Sequence, residues 1–344
     1  MSELKELRSA LNATTSTPGV DPAFDSAAIN AVITKGIADL SEKFSQLYNM
    51  VPRRSLNGQP SKIWNVRVSD NESTRWGYSF SEGIVGSNTN SNTPSQGQLV
   101  QLVAVARSVR ADWEVENFYR EASASYYDAV QDEIRNAIET VIDKIERQMV
   151  VGNVAAAGGD ANGFLGLRQL VNSNALGDTT NVYGIARASG KGYMDAQVVD
   201  ADDGNFTISY LDNALDSLEE VRAAPGFFLV SIKRATEINF QLQAQQRFVN
   251  TMDIAGGFRV PTYLGVPIIK SKYMAKAGPA NTDTVIFLMA AENLFYYELS
   301  PLRNKEATLG RQDSIGGFIT QYAVPVVPRL KHNAIIAKLT VPQV

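Results

Sequence analysis

The sequence predicts an α+β fold. Three observations carry that prediction. Two alternating, strand-like runs flank a long polar stretch, a helix of unusual length follows them directly, and short apolar strands then alternate with two helices up to the C-terminus. Trp64, Val66 and Val68 alternate with Asn65, Arg67 and Ser69, which is the period of a half-buried strand. Val103, Val105, Val109, Trp113 and Val115 are expected on one face of the second run. Ser108, Arg110, Asp112 and Glu114 are expected on the other. The intervening residues 71–97 are rich in Ser, Asn, Gly and Thr, so the two runs read as an extended β-hairpin with a polar tip. A two-stranded ribbon is marginal in water by itself, so it must lean on another surface.

The helix is read from about Phe118 to Val151, with neither proline nor glycine until Gly152. Its length would be roughly 50 Å at 1.5 Å per residue. Asn117 is the expected N-cap and Gly152 suits the C′ position. Glu116–Arg120, Arg135–Glu139 and Asp143–Arg147 have the spacing of favourable i,i+4 pairs. The apolar stripe runs Phe118, Ala122, Tyr126, Val130, Ile134, Ile138, Val141, Ile145, Met149. Its steps are mostly four, so it winds around the rod rather than following a coiled-coil seam. Such a stripe fits a helix lying across a sheet, with partners on more than one side.

The flanking segments complete the pattern. Residues 1–21 read as a Ser/Thr-rich arm, and the apolar spacing from Asp25 to Asn49 predicts an amphipathic helix. Gly152–Leu167 is a glycine- and alanine-rich loop. Leu211–Val221 and Arg234–Phe248 read as helices and Phe227–Ile232 as a strand. "GFRVPTYLGVPIIKSKYM" reads as strand–turn–strand, with Gly265 in the turn and Pro267 on an edge or at a strand start. "DTVIFLMAAENLFYYEL", "GGFITQYAVPVVP" and "NAIIAKLTV" supply the remaining strands.

Composition narrows the chemistry. Apolar residues make up 44% and charged residues 20%, the balance of a soluble globular chain, and a net charge of −4 gives no footprint of a dedicated nucleic-acid binder. There is no cysteine, so disulfides, thiolate nucleophiles and iron–sulfur or zinc–thiolate sites are excluded. No stretch approaches the roughly 18–20 apolar residues of a membrane span, and no secretion signal is visible. His332 is the sole histidine, so neither a His-based triad with spare members nor a His-rich metal site can be built.

"GIARASGKG" (Gly184–Gly192) differs from a P-loop in glycine spacing and lacks the Ser/Thr that would reach a metal. "DADDGN" (Asp200–Asn205) lacks the closing glutamate of a calcium loop and reads as a solvated acidic turn. Ser2-x-x-Lys5 with Ser69-Asp70-Asn71 lacks the Lys-Thr-Gly element of a serine β-lactamase. The expectation is no catalytic constellation, no cofactor and no metal.

The order of hairpin, long helix, glycine loop and compact α/β region resembles the major capsid protein of tailed bacteriophages, the Hong Kong 97 capsid fold. The local carriers are "GNVAAAGGDANGFLGL", "YLGVPIIKSKYM" and the terminal "YAVPVVPRLKHNAIIAKL". The chain departs where the family's usual proline near the final strand gives way to His332-Asn333-Ala334. The resemblance implies an N-terminal arm and helix over 1–55, an E-loop hairpin over 56–114, and a P-domain over 115–204 with its spine helix at about 117–151. It further implies an A-domain over 205–300, return strands over 301–325 and a final A-domain strand over 326–344.

It also implies a structural protein of the virion, assembled in the host cytoplasm from hexamers and pentamers around double-stranded DNA, which would be held only by weak non-specific contact. An encapsulin-type nanocompartment shell is the alternative within the fold, and an enzyme of unrecognised type the remote one. Ile84, Val85, Trp76 and Tyr78 are the expected intersubunit contacts of the hairpin tip. The family's type member cross-links through a lysine of the E-loop, but no lysine occurs here between Lys62 and Lys144, so a non-covalent shell is expected. Only a short arm precedes the first helix, so the expected partners are a separate scaffolding protein, a portal and a decoration protein, without maturation cleavage of this chain.

Overall fold

The computed structural model describes residues 46–68, 99–123, 128–244, 251–254, 258–307 and 313–342. The described chain opens with α1 (Gln46–Met50), β1 (Arg53–Ser55), β2 (Ser61–Arg67), β3 (Leu99–Val105) and β4 (Arg107–Glu116). Three helices follow: α2 (Asn117–Ser123), α3 (Ala129–Val151) and α4 (Leu167–Leu170). Next come β5 (Asn181–Val182), β6 (Ile185–Ala186), β7 (Gln197–Asp200), α5 (Ser209–Glu220), β8 (Pro225–Val230) and α6 (Ile232–Ala244). The chain closes with β9 (Thr251–Ile254), β10 (Phe258–Tyr263), β11 (Val266–Lys270), β12 (Ile286–Ala290), β13 (Phe295–Ala307), β14 (Ser314–Val326) and β15 (Ala334–Ala337). A four-stranded sheet has the order β1-β13-β14-β4, and a seven-stranded sheet the order β7-β15-β12-β8-β11-β10-β9.

The long apolar runs of the C-terminal half have a simple cause. In β12, Phe287 and Met289 join one hydrophobic core while Ile286, Leu288 and Ala290 join another. The same division separates Phe227 and Leu229 from Phe228 and Val230 in β8, and Ile335 and Ala337 from Ala334 and Ile336 in β15. A strand covered on both faces reads as a continuous apolar run because both parities are buried. One core contains α3, and the other holds the apolar faces of α5 and α6. The β10–β11 turn is Leu264-Gly265, both at positive φ (49° and 82°), the geometry of a tight hairpin turn that glycine favours. Pro267 stands at the start of β11, before its pairing with β8 begins at Ile268, so it removes no hydrogen bond from that ladder.

The long helix is shorter than its sequence pattern. Asp128 has extended backbone angles, and its carboxylate accepts hydrogen bonds from the N–H groups of Val130 and Gln131 at 3.1 and 3.2 Å. It is therefore an N-cap inside the expected rod, and a new helix of 23 residues starts after it. Asn117 opens α2, where its backbone N–H and side-chain amide both donate to Asp313. The C-terminal stop is as expected. Gly152 sits at φ 72°, and a Cβ there would lie 2.4 Å from the Gly166 nitrogen. The expected stripe holds from Ile138 through Val141, Ile145 and Met149, all buried, but Ile134 is half-buried and Phe118 is 79% exposed. Ala122 and Tyr126 carry no described side chain. The C-terminal half of α3 is buried on most sides because the glycine loop folds back against it as well as the sheet. Asp143 does not close on Arg147 as expected; its carboxylate takes Lys272 and the hydroxyl of Tyr273.

The second run of the expected hairpin divides at Ala106, whose N–H donates to the Pro60 carbonyl at 2.9 Å. β3 pairs with β2, whereas β4 pairs with β14. The two segments lie in different ladders, so their inward parity is not shared. Leu102 and Ala104 are buried while Val103 is half-buried and Val105 exposed, the reverse of the expected face. In β4 the expectation holds: Trp113 and Val115 are buried, with Ala111 beside them. Of the predicted helix over Asp25–Asn49, the described part is the last turn, within α1, and the remainder lies outside the described residues.

Burial along α3 sets a graded prediction. Ile138→Ala removes a side chain that is 3% exposed and should cost about 3 kcal/mol; Ile134→Ala, half-buried, should cost about 1 kcal/mol. Urea unfolding of the two variants against the parent reads the difference, and equal costs would mean that the buried face of the helix is misassigned.

Candidate assembly surface

The β2–β3 ribbon has two chemically different faces. Directly paired residues share a face, so Lys62/Ala104, Trp64/Leu102 and Val66/Val100 lie on one side. Ser61/Val105, Ile63/Val103, Asn65/Gln101 and Arg67/Leu99 lie on the other. The first face is anchored. The Trp64 indole donates to the Pro328 carbonyl at 3.2 Å and meets the Tyr183 ring edge-on, centroids 4.9 Å apart. The Tyr183 hydroxyl in turn accepts from the Val327 N–H at 3.0 Å, and burial pushes its phenol pKa well up. Lys62 lies 5.2 Å from the centre of the Tyr297 ring. The second face is left open, with Ile63 48%, Val105 48% and Leu99 62% exposed. Exposed apolar side chains in a row beside Asn65, Gln101 and Arg67 make the kind of surface another molecule covers.

Further exposed apolar side chains lie on elements of the seven-stranded sheet and its helices. Ile232 and Phe240 of α6 and Leu264 of the β10–β11 turn are all exposed, Phe240 at 69%. Phe118 forms a third exposed point at the start of α2.

The chain preceding the ribbon is strapped to the four-stranded sheet. β1 runs parallel to β13, with Arg53 opposite Tyr296 and Ser55 opposite Glu298. Arg53 stands 4.6 Å from the centre of the Tyr48 ring and 3.8 Å from the Glu298 carboxylate, and Gln321 donates to Glu298 at 2.9 Å. Burial raises the Glu298 pKa, and Arg53 and the Gln321 hydrogen bond only partly oppose it. Arg54 stacks on Phe295 at 3.7 Å. A comparable tie joins α3 to the segment after β11, where Ser271 donates to the buried Glu146 at 2.7 Å and Lys272 and Tyr273 close on Asp143. Burial alone would raise Asp143, but the bonds from Lys272 and Tyr273, with the charges of Lys272 and Arg147, bring it below its ordinary value.

Two polar knots were not legible in the sequence. Arg187, inside the segment compared above with a P-loop, is fully buried. It donates to the carbonyls of Gln169, Leu170 and Met194 and pairs with Asp178 at 2.6 Å. Its surroundings are a set of acceptors, and nothing there cradles a phosphate. The flanking Asp178 and Asp195 were the available signal. Asn333, in the triplet that departs from the family's proline, is fully buried. Its amide donates to the Arg329 and Leu330 carbonyls and its oxygen accepts from Asn293 at 3.0 Å, locking the turn that delivers β15.

His332 is half-buried, and burial with the nearby charges of Arg329 and Lys331 lowers its pKa. The residues Asp200–Asn205 form a turn in which Asp200 accepts from the Asp202 N–H and pairs with Lys338 at 2.6 Å. Among the described residues no group of three or more His, Asp or Glu side chains could hold a metal, and no helix is long and apolar enough to cross a membrane. The expected contact residues Ile84, Val85, Trp76 and Tyr78 lie outside the described residues.

No protein-family model matches the chain, and no curated protein matches it in sequence. Solved structures do match in shape. The cyanophage A-1(L) capsid asymmetric unit superposes with a TM-score of 0.63 at 13% identity, over 86% of this chain and 91% of that one. The SrpI encapsulin complex of Synechococcus elongatus PCC 7942 gives 0.58 at 14% identity, over 88% and 90%. The capsid of the native GTA particle gives 0.57 at 11% identity, over 88% and 91%. At such identities the likeness is one of fold. The chain has the Hong Kong 97 capsid fold, the architecture shared by these phage-type capsids and the encapsulin.

The Glu298 strap predicts a pH dependence. A carboxyl whose folded pKa is raised contributes stability that is complete below its unfolded pKa and is lost as pH rises through the folded value. The parent should therefore lose stability on this account from about pH 4.3 upward. Glu298→Gln should flatten the stability curve across that range in urea titrations at a series of pH values. An unchanged slope would show that this carboxyl is not the group responsible.

Proposed function

We propose that this chain is the major capsid protein of a tailed phage. It self-assembles into an icosahedral shell of hexamers and pentamers around double-stranded DNA, in virions built in the host cytoplasm. The observation that carries the reading is the β2–β3 ribbon, seated on its own subunit by one face and bearing on the other an apolar row that the described residues leave exposed. A neighbouring copy is the occupant that this arrangement and the fold support. The tip residues Ile84, Val85, Trp76 and Tyr78 extend the same contact.

The absence of lysine between Lys62 and Lys144 supports a shell without covalent cross-links through the hairpin. A separate scaffolding protein and a portal complete the assembly, a decoration protein is a further candidate partner, and DNA is held by weak non-specific contact. The chain acts as a structural protein and not as an enzyme. The second reading, an encapsulin-type compartment, is favoured by the likeness to the SrpI encapsulin complex. Nuclease-protected DNA inside purified particles would select the phage reading, and a packaged protein cargo the encapsulin.

Two measurements test the reading. Ile63→Ser combined with Val105→Ser changes exposed side chains, so the subunit should keep its circular dichroism and thermal transition. Negative-stain images should then show loss of closed shells. Normal shells from the double variant would remove the ribbon's outer row from the assembly contact. Particles of the parent boiled in SDS should give one band near 37.5 kDa, and a ladder of resistant multimers would contradict the non-covalent shell.

A further inference from the structure

A cavity of about 380 Å³ opens between the C-terminal half of α3, the glycine loop that follows it and the start of β4. That volume is within the range of small-ligand sites. Its wall includes Arg107 from β4, Lys144 and Arg147 from α3, and Gly158, Gly159 and Asp160 from the loop. Lys144 and Arg147 are three apart, so they share a face of the helix. None of the three cations forms an ion pair among the described residues. The acid beside them on the helix, Asp143, is already taken by Lys272 and Tyr273. Arg110 also borders the cavity but is bound to Asp112 at 2.6 Å and lies over Phe318, so it adds no net charge. Asp160 is the opposing acid, and its carboxylate accepts from the Asn162 N–H at 2.9 Å. Three cations against one carboxylate leave the cavity with an excess of two positive charges.

The loop is built to hold this arrangement. The Gln148 side chain accepts from the Asp160 N–H at 3.0 Å and donates to the Phe164 carbonyl at 2.8 Å, which pins the loop to the helix. Gly158 is at φ 82°, and a Cβ on it would lie 2.1 Å from the Arg147 guanidinium. The missing side chain therefore leaves room for the guanidinium to lie against the loop backbone. Gly159 has no space for a Cβ either, which would fall 1.9 Å from the Gly152 carbonyl oxygen.

We propose that this cavity is an oxyanion site that takes a phosphate group. Guanidinium groups present forked donors that match phosphate oxygens, and an ammonium adds a compact charge. The excess of two charges matches a phosphate dianion or adjacent phosphodiesters better than a single carboxylate. The phosphate can come from free inorganic phosphate or from a nucleic-acid backbone, and the site does not depend on which shell the chain forms.

Calorimetric titration of the soluble full-length chain with inorganic phosphate, and separately with a short oligodeoxythymidine, tests the proposal. Arg147→Gln and Lys144→Gln are the variants. Lys144 is exposed, so its variant keeps the fold even if Arg147→Gln does not, and circular dichroism checks both. Each variant should weaken phosphate binding about tenfold. If the oligonucleotide competes with phosphate, the source is a backbone, and its log–log salt slope should become shallower by about 0.7 per removed cation. Binding of inorganic phosphate alone supports a free oxyanion. No binding of either probe, or parent affinity in Lys144→Gln, overturns the site. Binding of polyglutamate with neither phosphate probe overturns it in favour of a protein carboxylate.

Discussion

The rest of the structure depends on the seat of α3 against β4 and β14. Ile138, Val141, Ile142, Ile145 and Met149 enter the same core as Ala111, Trp113 and Ile319 of those strands. The sheet side of the seat is fixed around Trp113. Trp113 donates from its indole to Asn304 at 2.9 Å, and Gly317 lacks the Cβ that would stand 2.8 Å from the Trp113 ring. Packing one face of a helix on a sheet fixes its axis, and the neighbouring segments then take their places from it. The ribbon passes the chain to β4 at Ala106. The glycine loop folds against the helix end, and Ser271–Tyr273 tie the seven-stranded sheet to its middle.

This geometry bears on function through what it leaves uncovered. The ribbon leads into the start of β4, with one face held by Trp64 and Tyr183 and the other exposed. Among the described residues nothing covers the apolar row, which leaves it open to another molecule. Rigid core and open ribbon are two consequences of one choice of ladder at Ala106.

Much of the fold was legible because burial leaves a period in the sequence. The apolar run of β12 marked a strand, Gly265 marked the β10–β11 turn, and Gly152 marked the helix stop. The failures have equally specific causes. Asp128 sits in a stretch free of proline and glycine, and its capping role depends on a local backbone choice that periodicity does not report. The parity of β3 was misread because the run from Val103 to Val115 continues across a change of pairing partner. Arg187 is buried by carbonyls 17 and 18 residues away, with only the flanking Asp178 and Asp195 as a signal, and Asn333 is buried by a local turn that apolar periodicity does not report. For the candidate contacts, the tip residues fall outside the described chain, whereas the outer row of Ile63, Val105 and Leu99 was visible only once the register of β2 and β3 was known.

The central claim is that the outer face of the ribbon is covered by another copy of the chain. Hydrogen–deuterium exchange of unassembled subunits and of assembled particles measures this directly. The account predicts that amides of 61–67 and 99–105 gain protection on assembly while those of β12, already within the core, do not change. Equal exchange of the ribbon in the two states would contradict it.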